Sequence, residues 1–149
     1  MMVCIDPGTQ CAGYATFSEE DKTMISCGVF RGNDWMDTAA RVPDFGKVDK
    51  LVIEDPRVYP ITNVDPNNLM ILAKAVGAIV ANVKAIHTKL VTPSRWKKSV
   101  PKKIHQKRIL RGMTPEETQI LENCLCPKSL KHNVIDAVGI GLWELRRIK

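Results

Sequence analysis

The sequence has no uninterrupted apolar stretch of the roughly 20 residues that a membrane-spanning helix needs. It also lacks a basic leader followed by a small-residue cleavage site, so the expectation is a cytoplasmic protein. Cysteines number five, an odd count, and with no secretion signal they are expected as reduced thiols. Cys124-Leu125-Cys126 has no second pair at zinc-finger spacing, which argues against a structural zinc. There is no internal repeat and no low-complexity linker. One absence is local: residues 95 to 111, "RWKKSVPKKIHQKRILR", contain eight Lys/Arg and no acid. The chain carries +6 overall, so everything outside this segment is slightly acidic. A surface helix usually mixes both signs, and a one-signed run points to a polyanion contact.

What is present fits one domain spanning residues 1–149, long enough to bury a core. "MMVCI", "CAGYATFS" and "TMISCGVFR" read as strands, the last two joined by the polar turn "EEDK". "NDWMDTAARVPDFGKVDK" reads as an irregular or partly helical crossover, and "LVIE" (51–54) as a short buried strand stopped by Asp55-Pro56. Asp65 and Pro66 are cap and first residue of a helix whose Leu69, Leu72, Val76, Ile79 and Val83 recur at helical spacing. Ala73, Gly77 and Ala81 form a small-residue stripe on it. "KLVTP" is a fifth strand, Thr114-Pro115-Glu116-Glu117 opens another helix, and a last helix is expected from His132 to Ile148. Its closing Arg146, Arg147 and Lys149 suit the helix dipole. This order gives a mixed α/β sheet flanked by helices.

Asp6 closes the first strand and Glu54 the fourth. If these strands are parallel neighbours, about 4.8 Å apart, the two carboxylates meet at one end of the sheet. Like charges so close need a cation between them. A third acid, Asp136, sits in the last helix among Val134, Ile135, Ala137, Val138 and Ile140, an odd environment for a charge. His132 lies four residues earlier on the same helical face. Singly, each acid has an ordinary explanation as a turn or helix-end residue.

"CIDPGTQCAGYA", "LVIEDP" and "HNVIDAVGIGLW" resemble, in order and spacing, the active-site motifs of RuvC-type Holliday junction resolvases, and "TPSRWKKSVPKKIHQKRI" looks like that family's basic stretch. The resemblance spans nearly the whole chain and looks most like short phage members. It implies a ribonuclease H-like fold with a mixed five-stranded sheet, working in a bacterial or phage-infected cell. The implied activity is metal-dependent endonucleolytic cleavage of four-way DNA junctions in recombination and repair. Asp6, Glu54 and Asp136 are then the ligands of two Mg²⁺ or Mn²⁺ ions, whose hard character suits carboxylate oxygens. The family's fourth ligand falls three residues before the last Asp, where this chain has Asn133. His132 is favoured as the fourth catalytic group, because imidazole can bind metal or move a proton. Asp55 cannot share the site with Glu54, since neighbouring strand residues point to opposite faces. The choice of Glu54 rests on the family pattern.

The resemblance further implies a homodimer, for which the small-residue stripe is a candidate seam, and DNA contacts along the basic stretch. Lys97, Lys98, Lys102, Lys103, Lys107 and Arg108 are the phosphate candidates, and Trp96 is expected in the core. Tyr59 falls two positions later than the family's junction-inserting aromatic and is a candidate for stacking on a base. Three alternatives stand beside this reading. One is a nuclease for other branched or structured nucleic acids, and another a non-catalytic junction-binding protein, which the presence of all three acids disfavours. A phosphate-binding actin or sugar-kinase domain needs two such lobes, more than 149 residues provide.

Overall fold

The computed structural model describes residues 1–57 and 65–149. Five strands form one sheet: β1 (Met2–Asp6), β2 (Cys11–Ser18), β3 (Thr23–Arg31), β4 (Lys50–Glu54) and β5 (His87–Val91). Their spatial order is β3-β2-β1-β4-β5. β1, β2 and β3 are an antiparallel meander, whereas β4 pairs parallel with β1 and β5 parallel with β4. The fold is the mixed five-stranded α/β sheet expected from the sequence. The helices in the crossovers between parallel strands cover one face of the sheet and those that follow β5 cover the other.

That covering explains why "MMVCI" is apolar without alternation: Met2, Val3, Cys4 and Ile5 are all fully buried. Met2 and Cys4 join one core layer with α6 (Lys131–Glu144), while Val3 and Ile5 join another under α2 (Pro66–Val83) and α1 (Trp35–Ala40). Between β5 and α6 lie α3 (Pro93–Trp96), α4 (Lys102–Arg111) and α5 (Pro115–Asn123). Pro101 separates α3 from α4 by leaving the chain extended ahead of α4. The helix expected to open at Thr114 does so with a capping box, Thr114 N–H donating to Glu117 Oε2 at 2.9 Å.

Asp65 caps α2 through Asn67 N–H at 2.9 Å, and Ala75, Val76, Ile79 and Val83 are the residues it buries. Among the described residues α2 is the one helix that meets the minimum length and hydropathy for a membrane span, but its apolar face packs on the sheet. Ala73, Gly77 and Ala81 face outward, and a Cβ at Gly77 would meet nothing within 4 Å. The stripe therefore does not pack on the protein's own sheet. Ala73 and Gly77 instead border a shallow groove of about 280 Å³ with Val80 and, from the edge strand β5, Thr88 and Leu90.

The last helix ends earlier than its hydropathy suggested, at Glu144 instead of Ile148. Arg146 takes a left-handed conformation (φ 59°), and the Arg147 N–H returns to Leu142 O at 2.8 Å, a Schellman closure. Arg147 does not decorate the helix dipole. Its guanidinium turns inward to Glu117.

Candidate active site

Asp6 and Glu54 are the final residues of adjacent parallel strands, one step beyond the Ile5–Ile53 pair. Strand phase puts both on the α6 side, because Cys4 and Val52, two residues earlier, belong to the core layer under that helix. Asp55 has the opposite phase and pairs with Arg57 at 2.9 Å. The structure thus supplies the phase argument for Glu54 that the sequence lacked.

Asp136 arrives from above on the second turn of α6 and is almost entirely buried. Its approach depends on Gly13, which pairs with Asp6 across β1 and β2. A Cβ on Gly13 would lie 2.1 Å from the Asn133 carbonyl oxygen, so only glycine lets the start of α6 rest directly on the strand. Three carboxylates are thereby gathered at one end of the sheet. Burial raises the Asp6 carboxyl well above its usual range, the charges of Glu54 and Asp136 raise it further, and Lys97 and Lys102 oppose them.

Those two lysines are the counter-charges. Lys97 Nζ lies 3.0 Å from Glu54 Oε2, and Lys102 Nζ lies 3.5 Å from Asp136 Oδ2. Burial works against the Lys97 ammonium, yet Glu54, Asp6 and Asp136 outweigh it and hold the amine above the usual lysine range. With the side chains turned onto lysines, no three acidic, imidazole or thiol groups among the described residues form a ready metal cage.

Trp96 is fully buried, as expected, but it also reaches the site: its indole N–H donates to Glu54 Oε2 at 2.7 Å. Gln106 Nε2 lies 3.5 Å from Asp136 Oδ1. His105 is buried edge-on to Trp96, ring centroids 4.9 Å apart, with neither nitrogen hydrogen-bonded among the described residues. Burial lowers its pKa, Asp136 opposes that, and Arg108 and Lys97 add to it. Gln106 and His105 were hidden in a segment read mainly for its charge, and Trp96 was expected in the core but not at the acids. The available signal was the four-residue spacing of His105 and Ile109, both buried, which marks an inward helix face.

Of the two candidates for a fourth ligand, Asn133 is committed elsewhere, its Nδ2 lying 3.6 Å from Cys11 Sγ on β2. His132 is half-buried in the first turn of α6 and makes no side-chain hydrogen bond among the described residues. The phosphate candidates divide. Lys97 and Lys102 are at the carboxylates, Lys98, Lys103 and Lys107 are exposed, and Arg108 donates to the Lys149 carbonyl at 2.8 Å. Tyr59 lies outside the described residues.

No protein-family model matches the sequence, and no curated protein matches it either. Solved structures do. Thermus thermophilus RuvC in complex with a Holliday junction substrate superposes with a TM-score of 0.53 at 13% identity, over 99% of this chain and 97% of that one. The yeast mitochondrial Holliday junction resolvase Ydc2 gives 0.53 at 12% identity, over 98% of this chain and 79% of that one. At such low identity the likeness concerns the backbone, and it establishes that this chain has the RuvC-like, ribonuclease H-type fold.

Proposed function

We propose that this protein is a divalent-metal-dependent endonuclease that cuts four-way DNA junctions, built as a short phage-type relative of RuvC. The observation that carries the reading is the convergence of Asp6, Glu54 and Asp136 at one end of a RuvC-like sheet, with lysines drawn in as counter-charges. Buried carboxylates in mutual repulsion are costly to a fold and are kept where they hold cations. The donor set is all carboxylate oxygen, which fits Mg²⁺ or Mn²⁺. Asp6, whose carboxyl feels the charges of both other acids, would be the shared ligand of two ions. When bound, such a pair supplies activation of the attacking water and stabilisation of the leaving 3′ oxygen of a phosphodiester.

The chain's own residues have separable tasks. Trp96 holds one Glu54 oxygen, Oε2, the same atom that Lys97 meets. Lys97 and Lys102 neutralise the acids in the free protein and are within reach of an incoming phosphate once cations replace them. His132, on the same face as Asp136 and without a competing hydrogen bond among the described residues, is the proposed proton carrier, a role Asn133 cannot fill. Tyr59 is proposed to stack on a base at the junction.

Incubation with four-way, forked and linear DNA, with and without Mg²⁺, tests the reading. Cleavage of the four-way substrate that depends on Mg²⁺ is expected. Preference for forks or other branched forms would shift the assignment to the broader nuclease, and binding without cutting would leave a junction-binding protein.

Symmetric resolution of a four-way junction requires two active sites, so a two-fold homodimer is proposed. The outward small-residue stripe of α2 and the apolar groove beside β5 are its candidate seam. Light scattering should give about twice 16.7 kDa; a monomer both free and on DNA would remove this part. Lys103 and Lys107 are exposed and without carboxylate partners among the described residues. Replacing both with Ala should weaken binding to every branched DNA and flatten its salt slope by roughly two units. An unchanged slope would show that they only solvate the helix.

A further inference from the structure

α4 and α6 run side by side away from the carboxylates: Lys102 sits by Asp136, Ile109 packs at Gly139, and Gly112 meets Ile148. Where the two helices end, two adjoining concavities of about 500 and 520 Å³ share Ile148 and Lys149. Their walls carry Arg95, Lys98, Arg108, Arg111, Arg146 and Lys149. Arg108 is taken up by the Lys149 backbone oxygen at 2.8 Å, and the other five side chains have no carboxylate partner among the described residues. The two acids nearby are already consumed, Glu144 by Lys50 and Lys89 and Glu117 by Arg147.

Cations at helix C-termini normally answer the dipole, but two helix ends present only about −0.5 charge each. The five cations left without a partner exceed that severalfold. Such a gathering is repulsive unless a polyanion neutralises it. From Asp136 to Glu144 the helix rises about 12 Å, so the basic walls lie roughly three to four nucleotide steps of about 3.4 Å beyond the carboxylates. On α4 the exposed Lys103 and Lys107 stand four residues apart and in step with Arg111, along one stripe of that helix.

We infer that this hollow at the ends of α4 and α6 is a second nucleic-acid seat, which takes the phosphate backbone of a DNA duplex arm beyond the point of cleavage. It deepens the nuclease reading by giving the substrate a long duplex arm, yet it is a binding property that stands or falls without cleavage. A seat of this kind reads charge and helical geometry, not base sequence.

The test is binding without metal, read by fluorescence anisotropy on a linear 20-base-pair duplex and on a long-armed four-way junction. Wild type is compared with the triple variant Arg95→Gln, Arg111→Gln, Lys149→Gln, all at exposed positions. If each cation meets one phosphate, the salt slope falls by about 2.7 units on both DNAs, and affinity near 0.1 M salt drops about 10²-fold. Arg111→Lys, which keeps the charge, should retain the wild-type slope. Equal slopes for wild type and triple variant on both DNAs would overturn the seat. So would loss of binding to an acidic polypeptide with DNA binding intact. A protein that cuts nothing in Mg²⁺ but shows the slope change keeps the seat and loses the nuclease assignment; the reverse pattern does the opposite.

Discussion

Asp6→Asn is expected to abolish junction cleavage in Mg²⁺, lowering the rate by several orders of magnitude, while leaving junction binding intact. The substitution keeps the side chain's shape but removes the charge that two cations would share, and with it both forms of assistance those cations give. If Asp6 only capped the Pro7-Gly8 turn, Asn would serve nearly as well and the rate would hold. The comparison is cleavage by the two proteins at equal bound fraction. A variant within about tenfold of wild type, roughly 1.4 kcal/mol of barrier, would remove Asp6 from the chemistry.

The same variant has a second readout that needs no DNA. Burial foremost, then Glu54 and Asp136, raises the Asp6 carboxyl in the fold above its unfolded value of about 3.9. Between those two values the folded state holds a proton that the unfolded chain has released. Stability is therefore full below the unfolded value and is lost as pH rises through the folded one. Metal-free wild type should thus unfold more readily at pH 8 than at pH 5 through this group. Asp6→Asn should lack that component and be the more stable protein at pH 8. Urea midpoints for both proteins across this range check the sign.

Arg147→Ala should produce the largest loss of stability, about 3–5 kcal/mol, the usual cost of stripping one partner from a buried ion pair. Glu117 is 1% exposed, and Arg147 grips it with both terminal nitrogens, at 2.5 and 2.7 Å. The same guanidinium donates to the carbonyls of Lys22 and Gly112, each at 2.9 Å. Glu117 in turn accepts the Met24 N–H at 2.8 Å. One pair therefore ties the β2–β3 turn, the end of α4, the start of α5 and the segment after α6. Burial works to raise the Glu117 carboxyl, but the hydrogen bonds from Arg147, Thr114 and Met24 outweigh it and hold it below the usual range. Its contribution is therefore present above the unfolded glutamate value, about 4.3, and is lost as pH falls through the folded one. In urea titrations the double variant Glu117→Gln, Arg147→Met should recover part of the loss, because no buried charge is left behind. A loss below about 1 kcal/mol for Arg147→Ala would mean that the pair is dispensable.

The five strands, the starts of α2 and α5 and the three carboxylates were legible in the sequence because each has a local signature. Apolar runs closed by Asp6 and Glu54 mark strand ends, Asp65-Pro66 marks a helix start, and an acid among Val134, Val138 and Ile140 is conspicuous. Features made by distant parts of the chain were not. Arg147 reads as helix-end decoration until α6 is seen to stop at Glu144 and turn through Arg146. The "RWKKSVPKKIHQKRILR" segment reads as one basic surface, yet folding divides it. Trp96 and His105 go inward, Lys97 and Lys102 to the acids, and Lys98, Arg108 and Arg111 to the far hollow. Charge composition fixes how many cations a segment has, whereas helix phase and Pro101 decide which way each faces. The small-residue stripe of α2 shows the same limit: spacing placed Ala73, Gly77 and Ala81 on one face, and only the packed sheet shows that face pointing outward.

A direct measurement is Mn²⁺ uptake by the DNA-free protein at neutral pH, followed calorimetrically in wild type and in Asp6→Asn, Glu54→Gln and Asp136→Asn. If the three carboxylates form a cation site that displaces Lys97 and Lys102, wild type takes up two Mn²⁺ per chain. Each variant then loses most of that uptake while remaining folded. Uptake that is the same in wild type and in all three variants, alongside junction cleavage that needs no divalent metal, would contradict the account.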